Sequence, residues 1–547
     1  MARMANLGRA SMLLGAGTLV SRITGLARTM ILVGLIGSNR SAVADAFNIA
    51  NQLPNSLFEL ISVGIITAVI VPQIVRAASS PDGGHAFISK LLTLGIIVFA
   101  IATVFAIILA PWLVASQIRP DRTEQLVLAT TFAYWCLPQI LFYGLYALIG
   151  EVLNSRRVFG PATWAPVANN LVSIVGFLVI GALFGQDLVN IAQWTPDMIA
   201  WLGALTTAAT AVQAALLVLC WRRTGLRFRL DFRWRGVGLG NLGRAASWTL
   251  LMAVMTVAVG FFQTWIVNAA TGIGPSTAVM DNAWLVFMVP YSIIVYSIGT
   301  PYFTQLSEHA VAGRDELARE DVAQSIRILG FFLVGALGAV AAAAVPASRV
   351  FTNTASDAVE AAIVLGCYLS GLLPLAVLFI IQRTFYAYGD TRTPFLFTLF
   401  QCVLVVLASA GAGLLASNGV LPMTMLAASV ALGQSVAGLA QVVLATFLLQ
   451  RRIGSLNVRS WLKPLGRFLL VAAPAGAVGW ATFTLSGGAS GWMASDKVTG
   501  AFGAALIGVV VLGCYIAIHA IFRSPELQPA AARLRSLGAR RSRSGRR

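Results

Sequence analysis

Acidic residues, lysines, histidines and paired cysteines are all scarce in this chain. Of its 547 residues only 20 are Asp or Glu, three are His and three (Lys90, Lys463, Lys497) are Lys, and charged residues make up 11%. The five cysteines (Cys136, Cys220, Cys367, Cys402, Cys514) fall in apolar stretches or at their ends without C-x-x-C pairing. They read as small apolar side chains and not as a disulfide or metal set. No histidine has a ligand-spaced neighbour, and no Walker loop, H-E-x-x-H motif or nucleophile and base pair occurs, which argues against soluble-type catalysis. No cofactor and no metal are expected. Long polar stretches are missing too, so no separate soluble domain has room to exist.

What is abundant is apolar sequence. Hydrophobic residues make up 58% of the chain, in runs of 20 or more from end to end, which predicts an all-α polytopic membrane protein. The first run is too long for a cleaved signal and reads as the first span. Fourteen spans are expected, near 11–37, 44–75, 88–116, 124–150, 160–184, 197–222, 242–270, 277–306, 322–346, 356–386, 394–416, 423–450, 463–486 and 497–522. Of the 38 Lys and Arg, 31 fall at the termini and in every second loop with its flanks. Only Arg40, Arg119, Arg122, Arg349 and Lys497 fall in the alternate loops, so the positive-inside rule puts both termini on the cytoplasmic side of the membrane.

The net charge of +18 raises nucleic acid as a partner, but the basic residues are dispersed over short loops, and none is expected. The segment RFRLDFRWRG (227–236) and the tail from 523 to 547 are expected to lie against anionic cytoplasmic lipid, at about 1 kcal/mol per basic residue near the surface. The tail reads as disordered.

An internal repeat organises the spans. ADAFNIANQLPN in the second span resembles DNAWLVFMVP in the eighth at an offset of 236 residues (Asp45 to Asp281), each carrying an Asp nine residues before a Pro, and GEVLNSRRVFGP resembles QRTFYAYGDTRTP at a similar offset. Two six-helix lobes are expected, 1–236 with a basic interlobe loop and 237–452, followed by two extra helices over 453–522.

The remaining two arginines, Arg22 and Arg28, sit inside the first span, in LVSRITGLARTMILVGLIG. Each costs about 2.5–3.5 kcal/mol at the bilayer centre, which predicts a water-lined cavity suited to an anion. Gly25 lies midway between them in sequence, so on a helix the two arginines flank its direction by about 60° on either side. The second span carries a polar stripe of Asp45, Asn48, Gln52, Asn55, Glu59 and Ser62, at steps of three and four, with Pro54 as a bend point. Two readings stand: the carboxylates neutralise Arg22 and Arg28 in a static network, or they are gates and temporary partners that an incoming anion displaces. Arg383, Asp390 and Arg392 form a second group with two readings, a structural latch beside a helix start or a gate in which Asp390 pairs with either arginine.

The strings SRITGLARTM, ADAFNIANQLPN with SVGIITAVIVPQ after it, GPATWAPVANN and above all RTFYAYGDTRTP resemble the MurJ (MviN) family, the lipid II flippases of the MOP transporter superfamily. The resemblance runs from Gly15 to about Arg452, and the excess of Arg over Lys points to an actinobacterial-type member. It implies two six-helix lobes with two extra helices, moving undecaprenyl-pyrophosphate-linked disaccharide pentapeptide to the outer leaflet by alternating access. It also implies that Arg22 and Arg28 engage the pyrophosphate and that Asp45 matches the acidic residue opening the second helix.

The chain departs from its relatives where they carry further arginines: Phe58 and Glu59 stand in the second helix, and Leu285 or its neighbours in the eighth. The seventh and eleventh spans hold only Gln263, Asn268 and Gln401 where some relatives build a sodium site, so sodium coupling is not expected. The membrane potential offers another drive, at about 2.3 kcal/mol per charge and 100 mV. The alternatives are a flippase for another polyprenyl-linked glycan, a cation-coupled multidrug exporter of the same superfamily, against which the central arginines argue, and a non-transporting scaffold. Regulatory or cell-wall synthesis partners are not legible.

Overall fold

The apolar runs fold as helices because a backbone in a bilayer must satisfy its own N–H and C=O groups. The computed structural model of the chain describes residues 2–62, 85–156, 158, 160–185, 188–226, 228–232, 244–522 and 524–527. Among these residues no β-strand occurs. In chain order the helices are α1 (Ala2–Ile36), α2 (Ala42–Ser62), α3 (His85–Ala115), α4 (Thr123–Cys136), α5 (Gln139–Ser155), α6 (Gly160–Phe184), α7 (Pro196–Leu219), α8 (Arg244–Val267) and α9 (Thr277–Val311). They continue as α10 (Asp315–Ala342), α11 (Ala344–Arg349), α12 (Ala355–Leu369), α13 (Leu372–Ala387), α14 (Arg392–Ser417), α15 (Leu426–Ile453), α16 (Arg459–Leu485) and α17 (Lys497–Ile521).

Thirteen segments among the described residues are long and apolar enough to cross a bilayer. The second expected span is helical over Ala42–Ser62, and its residues 63–75 lie outside the described residues. Two expected spans are each a broken pair: α4 and α5 meet at Leu137 and Pro138, and α12 and α13 at Ser370 and Gly371. At both joints the backbone tightens to bonds three residues back, Ile140 to Leu137 and Gly371 to Tyr368. Gly371 is also where α15 approaches, since a β-carbon there would stand 2.8 Å from Ser435 Oγ. The two breaks lie 233 residues apart, at Leu137 and Ser370, close to the offset of the expected repeat.

The chain divides into two compact units, Met1–Ala278 with Ser409–Ala427, and Val279–Ala408 with Ala428–Arg547. In this division α8 groups with the first unit, unlike in the lobes drawn from sequence. The turn after α8 is stitched to first-unit loops: Arg119 N–H donates to Asn268 Oδ1 (3.2 Å), Arg122 Nη2 to the Ala269 carbonyl (3.1 Å) and Arg40 Nε to the Ile273 carbonyl (3.0 Å). The first unit's core includes the buried half of α2, with Phe47 edge-on to Phe132 and Phe132 edge-on to Trp194. In the second unit α16 and α17 pack on α10, where Phe331 meets Phe468 at 5.4 Å and accepts a bond from the Tyr515 hydroxyl through its carbonyl (3.0 Å).

Of the basic interlobe segment only residues 228–232 are described. They run irregularly beside α3, with Arg229 N–H on Ser89 Oγ (3.4 Å) and Asp231 N–H on Thr93 Oγ1 (3.1 Å). The tail lies outside the described residues apart from 524–527, where Glu526 pairs with Arg467 at 2.9 Å.

Candidate functional site

Helix α1 lies along α6, and small or short polar residues form the contact. Asn170 Nδ2 on α6 donates to the Ser21 carbonyl (3.0 Å) and to Thr24 Oγ1 (3.1 Å), and a β-carbon on Gly25 would stand 3.5 Å from the same nitrogen. The Gly25 direction is thus turned to α6 and not to open space. Arg22 is exposed and makes no hydrogen bond or ion pair among the described residues. Arg28 is half-buried, and its Nη1 reaches Asn169 Oδ1 on α6 at 3.5 Å.

Behind Asn169 runs a chain of neutral polar side chains that reaches three further helices of the same unit. Asn169 Nδ2 donates to Gln213 Oε1 (2.8 Å) and faces Thr210 Oγ1 (3.5 Å), both on α7. Thr210 Oγ1 is 3.4 Å from Gln139 Oε1 on α5, which also accepts from the Tyr143 hydroxyl (3.1 Å), and Gln139 Nε2 donates to Asn51 Oδ1 on α2 (3.2 Å). Sequence reading missed Asn169, Thr210, Gln213 and Gln139. Single amides in apolar runs carry no local pattern, although two adjacent ones in GPATWAPVANN were a usable signal.

The polar stripe of α2 divides along its length. Asp45 is fully buried and accepts four hydrogen bonds: Thr271 Oγ1 (2.6 Å), Ser276 Oγ (2.5 Å), Thr277 Oγ1 (2.8 Å) and the Ala278 N–H (2.9 Å). The last two donors open α9, so Asp45 caps that helix from another element. Asn48 is half-buried, whereas Gln52, Asn55 and Glu59 are exposed, with Asn55 Nδ2 on Glu59 Oε1 at 3.1 Å. Among the described residues neither Asp45 nor Glu59 pairs with Arg22 or Arg28, so the static neutralising network is not formed.

In the second unit Asp390 caps α14, accepting from the Arg392 N–H (3.0 Å), the Thr393 N–H (3.0 Å) and Thr393 Oγ1 (2.8 Å). Its ion-pair partner is Arg452 at 2.9 Å, a residue the sequence reading did not place in this group. Arg383 lies instead over the rings of Phe303 and Phe379 at 5.2 and 5.1 Å, and the Arg392 side chain is exposed. Beside them the Tyr388 hydroxyl donates to Asp315 (2.6 Å), and burial together with that carboxylate raises its pKa.

A family model described as lipid II flippase MurJ matches residues 35–495. The chain belongs to the MurJ family. It is 26% identical over 395 residues to a Rhizobium meliloti protein named probable lipid II flippase MurJ, covering 70% of this chain and 71% of that one. A Haemophilus influenzae protein of the same name is 25% identical over 501 residues, covering 85% and 90%. Among solved structures, a lipid II flippase MurJ in an inward closed conformation matches with a TM-score of 0.67 at 17% identity, over 93% of this chain and 98% of that one. An inward-facing multidrug resistance MATE transporter of the MOP superfamily matches at 0.60 and 14% identity, over 82% and 98%. As a MurJ family member with this fold, the chain is a multi-pass membrane transporter and not an enzyme.

Of the amides weighed for sodium, Asn268 and Gln401 stand among neutral side chains in this MurJ family member. Asn268 is buried and donates to Gln125 Oε1 and Thr271 Oγ1, both at 3.3 Å, while Gln401 lines a small cavity of the second unit with Trp284, Tyr368, Gln434 and Gln441. No carboxylate lines that cavity, and no cluster of three metal-ligating side chains occurs among the described residues.

Proposed function

We propose that this protein moves lipid II, the undecaprenyl-pyrophosphate-linked peptidoglycan precursor, from the cytoplasmic to the outer leaflet by alternating access, with Arg22 and Arg28 holding the pyrophosphate. The observation that carries this reading is the state of the two arginines: within a membrane span, one is exposed and the other directs its hydrogen bond to a neutral amide and to no carboxylate among the described residues. Guanidinium groups kept at that depth without a carboxylate are suited to an anion that arrives and leaves. The exposed Gln52, Asn55 and Glu59 supply neutral and acidic partners along α2 for sugar and peptide groups or for a returning arginine.

With both termini and the basic loops cytoplasmic, outward movement runs with the membrane potential. A pyrophosphate of about two charges gains roughly 4–5 kcal/mol per 100 mV, so no sodium site is required. Asp45 acts in this scheme as a latch on the start of α9 and not as a direct ligand, because its oxygens are already used by four donors. The Asp390–Arg452 pair serves as a second latch in the other unit. Phe228, Leu230 and Phe232, all exposed and alternating with Arg229 and Asp231, rest against anionic lipid.

Replacing Arg22 or Arg28 with Ala tests the reading. Lipid II export is expected to stop while the purified protein keeps its thermal stability; normal export by both variants in cells that depend on them defeats the proposal.

A further inference from the structure

The arginine of α1 is held without being neutralised, and Asn169 is what holds it. An Asn carboxamide has one acceptor and one two-hydrogen donor. At Asn169 the donor is committed to Gln213 Oε1 at 2.8 Å, with Thr210 Oγ1 at 3.5 Å, and this leaves the carbonyl oxygen to face Arg28 Nη1. Ser173 Oγ, one turn along α6, lies 3.5 Å from that same oxygen. The orientation of the amide is therefore set by α7, and α7 is tied through Thr210 and Gln139 to α5 and α2.

We propose that Asn169 is a positioning residue that aims Arg28 at an anionic ligand, a pyrophosphate ester, and that its being an amide and not a carboxylate is what keeps the site cationic. This deepens the reading of Arg28 given above and rests on it. A carboxylate at the same place would hold the guanidinium at least as firmly, by a charge-assisted bond, but would cancel the field that draws the ligand in. Among the described residues the titratable side chains that interact with Arg28 or with Gln213 behind the amide are Tyr143 and Tyr146 of α5, and neither is a carboxylate or a histidine.

The test uses the full-length purified protein in detergent, with farnesyl pyrophosphate as the probe and farnesol as the uncharged control. Asn169→Asp is expected to bind farnesyl pyrophosphate at least tenfold more weakly than wild type near pH 8, with thermal stability equal or higher. It should keep wild-type binding of farnesol, and its binding of farnesyl pyrophosphate should depend less steeply on salt than that of wild type, because the new carboxylate cancels a positive charge of the site. Asn169→Ser, which shortens the acceptor without adding charge, is expected to bind several-fold more weakly with the salt dependence of wild type. Binding by Asn169→Asp within twofold of wild type, or with the salt dependence of wild type, overturns the proposal, as does unchanged binding by Asn169→Ser. If wild type itself does not distinguish farnesyl pyrophosphate from farnesol, the anion reading of Arg28 fails instead.

Discussion

Removing the Asp45 carboxylate is the perturbation whose size the structure defines best. Its two oxygens take three hydroxyl donors and one backbone N–H at 2.5–2.9 Å, all of them contributed by residues 271–278. Each hydrogen bond to a charged group contributes about 1.5–3 kcal/mol, and the desolvation of a buried carboxylate offsets a large share of the sum. Asp45→Ala leaves the Ala278 N–H unsatisfied at the start of α9 and strands three hydroxyls, for a net loss of about 3–5 kcal/mol in the local stability of that segment. Asp45→Asn keeps the shape, and the hydroxyls of Thr271 and Ser276 can rotate to accept from the new amide, so its loss is smaller, about 1–2 kcal/mol. At about 1.4 kcal/mol per decade, the Ala variant should speed amide exchange across residues 271–280 by about two to four decades and the Asn variant by about one. Hydrogen exchange followed by mass spectrometry on that peptide reads the effect directly. Exchange in Asp45→Ala within threefold of wild type would refute the assignment of Asp45 as the cap of α9.

Two further outcomes follow from packing and from charge. A β-carbon on Gly144 of α5 would come within 2.3 Å of the buried Phe99 ring of α3, so Gly144→Ala is expected to destabilise the purified protein by about 1–3 kcal/mol, read as a lower thermal midpoint. An unchanged midpoint would contradict that contact. At the start of α17 the exposed Asp496 accepts the backbone N–H groups of Thr499 and Val498, Thr499 first in weight, and its carboxyl is held below the ordinary value of 3.8. A depressed carboxyl contributes stability that is present above its ordinary value and is lost as pH falls through its value in the fold. The protection of the first amides of α17, taken relative to their intrinsic exchange rates, should therefore fall only below about pH 4. Asp496→Asn should shrink that acid response, and a response identical to wild type would show that another group causes it.

The division of labour between chain and fold is visible in particular residues. The membrane class, the span positions and the two arginines in the first span were legible because they depend on apolar run length and on where charge interrupts it. The α2 stripe was legible for a related reason: steps of three and four put side chains on one helix face whatever the neighbours are. What that stripe does was not. Asp45 and Glu59 belong to the same periodic pattern, yet one is sealed under four donors from residues far along the chain and the other is exposed beside Asn55. The breaks at Pro138 and Gly371 fell inside apolar runs that read as single spans, since hydropathy has no term for a change of axis.

Arg28 illustrates the same limit most plainly. Periodicity assigned it a direction relative to Gly25, but a direction on one helix does not say which helix stands opposite. Tertiary packing set α6 there and brought Asn169 to the guanidinium, with Gln213 behind it. It likewise gave Asp390 the partner Arg452 in place of the two nearer arginines. The sequence alone determined the kind of protein this is, because solvation by lipid acts on each segment independently. Only the packed structure decided which polar groups meet, because that depends on helices approaching from distant parts of the chain, where no local pattern reaches.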